Sequence, residues 1–161
     1  MAYGVVRTDN MSGTTLGKNL VSLKYQESSV DTAIDNGNVV VVGDLIEGER
    51  EIRLASKPAA DTALKNIALV ATPELNKDKK VTLPAKYTNA AGTILRGYRL
   101  LSHDIFSVTA DALAGDTLSV GYAVELQAGT KLKVVSSATS DSTQVGKIIA
   151  IEGDWYVIEV A

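Results

Sequence analysis

Four consecutive valines, Val39-Val40-Val41-Val42, stand between a turn signal, Asn36-Gly37-Asn38, and a break, Gly43-Asp44. Asn and Gly accept positive φ at little cost, so they mark the places where an extended chain reverses. A short apolar run without alternation, bounded in this way, reads as a strand buried on both faces. The stretch Asn66 to Ala71, stopped by Thr72-Pro73, reads the same way. Both runs fall far short of the ~20 residues that a membrane helix needs.

The rest of the chain follows this rhythm, with Val, Ile, Leu, Thr and Tyr clusters separated at short intervals by Gly, Asn, Asp and Ser. In Glu51-Ile52-Arg53-Leu54 charged and apolar residues alternate, which predicts Ile52 and Leu54 facing a core and Glu51 and Arg53 facing water. The final third predicts strands at Leu118 to Val120, Tyr122 to Leu126 and Leu132 to Val135, with turns at Gly115-Asp116, Gly121 and Gln127 to Thr130. Ser136 to Thr143 reads as a small-polar loop. Val145 to Ile151 and Trp155 to Val160 read as a hairpin around Glu152-Gly153-Asp154. Helix is confined to a turn or two at Pro58 to Lys65 and at Thr109 to Leu113, with Thr109 as candidate N-cap.

The first thirty residues differ, because Val5-Val6 and Leu20 to Leu23 are their only apolar stretches. Such a segment buries little by itself and reads either as an extended polar arm or as a terminus carrying one edge strand. The expected layout is therefore an arm over 1–30 and a β-barrel domain over 31–161, with room for a smaller inserted lobe. The fold class is all-β, a small barrel or sandwich with short helical turns.

Composition narrows the chemistry. Among 161 residues there is no Cys, which removes disulfides, thiolate metal sites and a Cys nucleophile, and there is a single His. With 16 Lys+Arg against 19 Asp+Glu, the net charge of −3 lacks the basic excess of a general nucleic-acid binder. The start has no basic stretch followed by an apolar one, so no signal peptide is predicted.

Phosphate-cradling glycine loops and the nucleophile elbow are absent from the sequence. His103-Asp104 are neighbours, and on a strand they would point to opposite faces, which predicts an ordinary loop or strand-edge histidine. Glu47, Glu49 and Glu51 have the spacing to share one strand face; with Arg50 and Arg53 interleaved, they read as a solvated charge ladder. Lys77-Asp78-Lys79-Lys80 reads as a solvated run. Arg96-Gly97-Tyr98-Arg99 sets two guanidinium groups around a Tyr, a composition enriched at protein interfaces. Tyr87, Tyr98, Trp155 and Tyr156 are candidates for an aromatic anchor patch.

The order of motifs from about Asp35 onward resembles tailed-bacteriophage capsid decoration proteins, also called head-stabilising or cement proteins. It rests on Asn36 to Gly43, Gly48 to Glu51, Ala68 to Glu74, Thr88 to Gly92, Arg96 to Leu100, Asp104 to Thr109, Val120 to Leu126, Gly129 to Leu132 and Val145 to Ile149. The resemblance implies a small non-enzymatic β-barrel protein without cofactor or metal. It would sit on the capsid exterior after assembly in the bacterial cytoplasm and bridge major capsid protein subunits. Self-association as dimer or trimer stays open, and neither nucleic acid nor membrane is an expected partner. The contacts expected at the capsid are Arg96, Tyr98 and Arg99, together with Val5, Val6 and Arg7 of the arm. The alternative is a carbohydrate- or receptor-binding module of a head or tail fibre, with Trp155 and Tyr156 as its platform.

Overall fold

A computed structural model describes residues 2–75, 84–115 and 117–161. The structure is all-β, with a closed five-stranded barrel and a curled seven-stranded sheet. In chain order the strands are β1 (Val6–Asn10), β2 (Leu20–Glu27), β3 (Val30–Asp31), β4 (Val39–Leu45), β5 (Ile52–Ser56), β6 (Ile67–Val70) and β7 (Leu95–Arg99). They continue with β8 (Ile105–Val108), β9 (Leu113–Ala114), β10 (Ala123–Gln127), β11 (Gly129–Val135), β12 (Gln144–Glu152) and β13 (Trp155–Val160). The barrel runs β2-β5-β4-β6-β7 and closes by antiparallel pairing of β7 with β2, and β3 hangs on the end of β2. The sheet has the order β1-β8-β13-β12-β10-β11-β9.

The two apolar runs are the joint between these parts. Along β4, Val40 and Val42 point into the barrel lumen with Leu23, Tyr25, Ala55 and Leu95, while Val39 and Val41 point out toward the sheet. Along β6, Ala68 and Val70 face the lumen and Ile67 and Leu69 face the sheet. Successive strand side chains alternate between faces, so each of these staves serves two cores at once. The outer core is completed by Phe106, Val108, Val124, Leu126, Leu132, Ile148, Ile158 and Val160 from the sheet. The expectation of strands buried on both faces is borne out, and so is the β12–β13 hairpin, whose turn is Gly153-Asp154 with Gly153 at φ 61°.

Other elements differ from the sequence reading. Leu118 to Val120 is irregular, and Val120 is exposed. Thr109 precedes a 3-10 turn at Ala110–Ala112 but makes no side-chain cap; its hydroxyl instead accepts the Val5 amide at 3.1 Å. The turn at Gly115-Asp116 extends onto Asp116, which lies outside the described residues.

The inside and outside of β5 are exchanged. Leu23 is opposite Arg53 and Tyr25 is opposite Ala55, so Arg53 and Ala55 share the lumen-facing side, while Ile52 and Leu54 face outward with Ser22 and Lys24. Arg53 sits at the barrel end, where its guanidinium donates to the Gly43 carbonyl at 3.1 Å. Alternation separates two faces, but the long-range pairing decides which of them is interior.

Of the segment expected to be an arm, residues 2–30 are drawn into the body. Val6–Asn10 is the edge strand β1 beside β8, and Leu20–Glu27 is a full barrel stave. Between them Met11 is buried in the outer core, and Gly13 lies against the Tyr98 ring so closely that a Cβ there would come within 2.7 Å of it. Ser12 donates its amide at 2.8 Å and its hydroxyl at 2.5 Å to the buried Asp104 carboxylate, which also accepts the Leu101 amide at 3.0 Å. These polar residues stay with the fold because their hydrogen bonds are made inside it.

Gly146 is paired with Val160 across β12 and β13, and a Cβ there would run into the Glu159 carbonyl oxygen. Overpacking against backbone cannot be relieved by a rotamer change. Gly146→Ala is therefore expected to lower stability by about 2–3 kcal/mol. Gly17→Ala, where nothing lies within 4 Å, should stay within about 0.5 kcal/mol of the parent. Urea unfolding midpoints of the two variants check both.

Candidate interaction surfaces

The structure separates the residues that the sequence grouped. On β7, Arg96 and Tyr98 share the outward side, whereas Arg99 falls on the other side and donates to the Lys65 carbonyl at 3.4 Å. Tyr98 is only 8% exposed and belongs to the outer core, where Met11 and Gly13 cover it. Val5 is 6% exposed, and Val6 is partly buried against the same core. Of the six expected contact residues, only Arg96 and Arg7 therefore have exposed side chains, and they lie on different parts of the molecule.

Arg7 belongs to the outer face of the sheet. Its guanidinium stacks over the Trp155 ring at 4.4 Å and its Nε lies 3.4 Å from the Asp9 carboxylate. Asp9 in turn accepts the Ser107 hydroxyl. Stacking of this kind is worth about 0.5–1 kcal/mol at an exposed site, and here it holds Arg7 flat against its own strand neighbours. Trp155 and Tyr156 are consecutive on β13, so they project to opposite faces; Tyr156 packs on the outer core and no joint platform forms. Tyr87 lies elsewhere, in the segment after β6, where its hydroxyl is 3.4 Å from Asn89.

A second polar cluster organises the same sheet face. Glu125 on β10 is fully buried, with Lys133 Nζ 3.3 Å away, the Thr139 amide at 3.1 Å and the Thr139 hydroxyl at 2.9 Å. Burial pushes its carboxyl up, but the Thr139 donors and Lys133 together outweigh it and hold the group below the usual carboxylate range. This carboxylate fastens the 136–143 loop over the sheet, and Thr143 then donates to the Ala60 carbonyl at 2.7 Å and ties that loop to the barrel. Sequence reading passed over Glu125 because nothing in the pattern Val124-Glu125-Leu126 separates a buried charge from a solvated one; the signal lay in Lys133 and Thr139 on the neighbouring strand and loop.

The remaining titratable candidates stay apart. His103 occupies a left-handed turn at φ 68° with its side chain 86% exposed, and its Nδ1 is 3.6 Å from Glu159. Glu47, Glu49 and Glu51 lie in the exposed β4–β5 connection and not on one strand face. Lys77 to Lys80 lie outside the described residues. Among the described residues no three His, Cys, Asp or Glu side chains converge as a metal site.

One cleft of about 260 Å³ opens between β1 and the segment after β6, lined by Val6, Thr8, Asn36, Glu74 and Tyr98 among others. Burial there raises the Glu74 carboxyl, opposed by the Asn36 amide. Asn36 also pairs with the Thr72 backbone at 2.9 and 3.0 Å, and Asn89 donates to Asn36 Oδ1 at 3.1 Å. The arrangement fixes the chain after β6 onto the barrel end, and the cleft lining brings no histidine to Glu74 and no hydroxyl beyond those of Thr8, Thr72 and Tyr98.

No protein-family model, curated protein or solved structure matches this chain.

The electrostatics of Glu125 set an expectation for acid. A carboxyl held low by the fold contributes stability that is complete above its unfolded value of about 4.3 and is lost as pH falls through the lower folded value. Asp31, held low by Lys24 at 2.8 Å and by Gln26, acts in the same direction. Glu125→Gln should therefore lose less stability than the parent between pH 5 and pH 3, as read from urea midpoints along a pH series.

Proposed function

We propose that this chain is a non-enzymatic structural protein of a tailed-phage virion, which binds the outer surface of the capsid and stabilises it by bridging major capsid protein subunits. The ordered motifs from Asp35 onward support this reading. The structural observation that supports it most is the shared core: β4 and β6 are buried on both sides, so barrel and sheet are joined through packed side chains. A clamp between shell subunits resists deformation only if its own parts do not move against each other, and close-packed interiors transmit strain with little compression. Many modest contacts repeated over a lattice then add up to substantial reinforcement. Such a protein works by its surfaces, with no cofactor, and acts at the capsid exterior after assembly in the bacterial cytoplasm.

Quantitative mass spectrometry of purified virions from the phage that encodes this chain tests the reading. Copy number comparable with that of the major capsid protein, or a simple fraction of it, is the expected result. A trace amount would point to a tail or fibre component, and complete absence would overturn the proposal.

A further inference from the structure

The reversed alternation of β5 leaves apolar side chains where water should be. Leu54 is 37% exposed, Ile52 is half-buried, and Ile94, immediately before β7, is 55% exposed. The strand register lines these residues up. Arg96, Ser22 and Ile52 form one row across β7, β2 and β5, and Lys24 and Leu54 are adjacent in the next row. With strands about 4.8 Å apart, the Arg96 and Ile52 backbones are separated by about 10 Å. Apart from Leu20 and Tyr98 at one end of β2 and β7, which pack into the core shared with the sheet, this side of the barrel contributes nothing to that core.

The charges on this face are unequal in their partners. Lys24 is neutralised by Asp31 at 2.8 Å. Arg96 has no carboxylate partner among the described residues. On the sheet Arg7 is engaged with Asp9 and Trp155 and Lys133 with Glu125, while the exposed Lys131 and Lys147, like Arg96, have no carboxylate partner among the described residues. An uncommitted guanidinium beside exposed Ile and Leu is the composition of an interface centre, where Arg gains most from a carboxylate held in desolvating surroundings. Exposed apolar groups gathered on one rigid face carry the same message.

We infer that the β2–β5–β7 face of the barrel is the surface that seats on the capsid, and that it fits a shell patch of apolar side chains surrounding a carboxylate. The inference rests on the capsid-binding reading above. It singles out Ile52, Leu54, Ile94 and Arg96 as the contact set and leaves the outer face of the sheet pointing away from the shell.

Purified capsids lacking this protein, incubated with the full chain and sedimented, provide the test. Arg96→Glu and Leu54→Asp should each weaken binding about tenfold or more, whereas Lys147→Glu, an exposed change on the sheet, should bind like the parent. Both barrel substitutions are on the surface, and an unchanged melting temperature shows that they fold. If the parent binds and both barrel variants bind equally well, the assignment of this face is overturned while the capsid reading stands. If the variants keep capsid binding but turn an oligomer into a monomer in analytical ultracentrifugation, a second copy occupies the face and the inference fails. Absence of binding by the parent itself overturns the capsid reading and this inference together.

Discussion

Everything else in this fold depends on two apolar runs, Val39 to Val42 of β4 and the whole of β6, that are covered on both faces. β4 and β6 each place one set of side chains in the barrel lumen and the other in the layer against the sheet. A barrel of five strands has too narrow a lumen to supply a large core, as the glycine at 97 illustrates: a Cβ there would come within 2.6 Å of Leu23. The larger core lies outside the barrel, and the shared staves make the two inseparable. Burial of Ile67, Leu69 and Val39 on one side, at about 25 cal/mol per Å² of apolar surface, is gained only when the sheet is in place. The lumen therefore sets the barrel's shape, and the outer core holds barrel and sheet together.

That joint was legible in the sequence because burial on both faces removes the polar half of the pattern. Val39 to Val42 and Ile67 to Val70 needed no knowledge of their neighbours. The same holds for the β12–β13 hairpin, where a local turn fixes the register. What could not be read was anything decided by distant pairing. Glu51 to Leu54 alternates correctly, yet its interior side was set by the parallel pairing of β5 with β2. Thr109 has the residue type of a cap, but its hydroxyl was taken by Val5, more than a hundred positions earlier. The polar opening segment offered too few apolar residues to look structured; its order comes from Asp104 and Tyr98, far along the chain.

The candidate surface residues divide along the same line. Arg96, Tyr98 and Arg99 are a cluster in one dimension only. Strand geometry sends Arg99 to the other side, and Met11 and Gly13 close over Tyr98. Arg7 remains exposed, but its stacking on Trp155 and its pairing with Asp9 already satisfy it internally. Side-chain charge alone therefore says little about availability. The useful distinction is whether a charge has been met within its own chain, and long-range register decides that as well.

The partners of the two N-terminal strands also determine the order in which the molecule can be completed. β1 waits for β8, and β2, although it meets β3 and β5 earlier, cannot close the barrel until β7 exists, so the residues before β2 remain unpaired while most of the chain is still being made. The final strand, β13, then inserts between β8 and β12 and completes the sheet next to its last residues. A topology with so few local contacts folds slowly for its size and keeps its apolar strands exposed during synthesis. A polar opening segment is thus well suited to its position: it stays solvated through that interval and takes up its buried hydrogen bonds when its distant partners arrive.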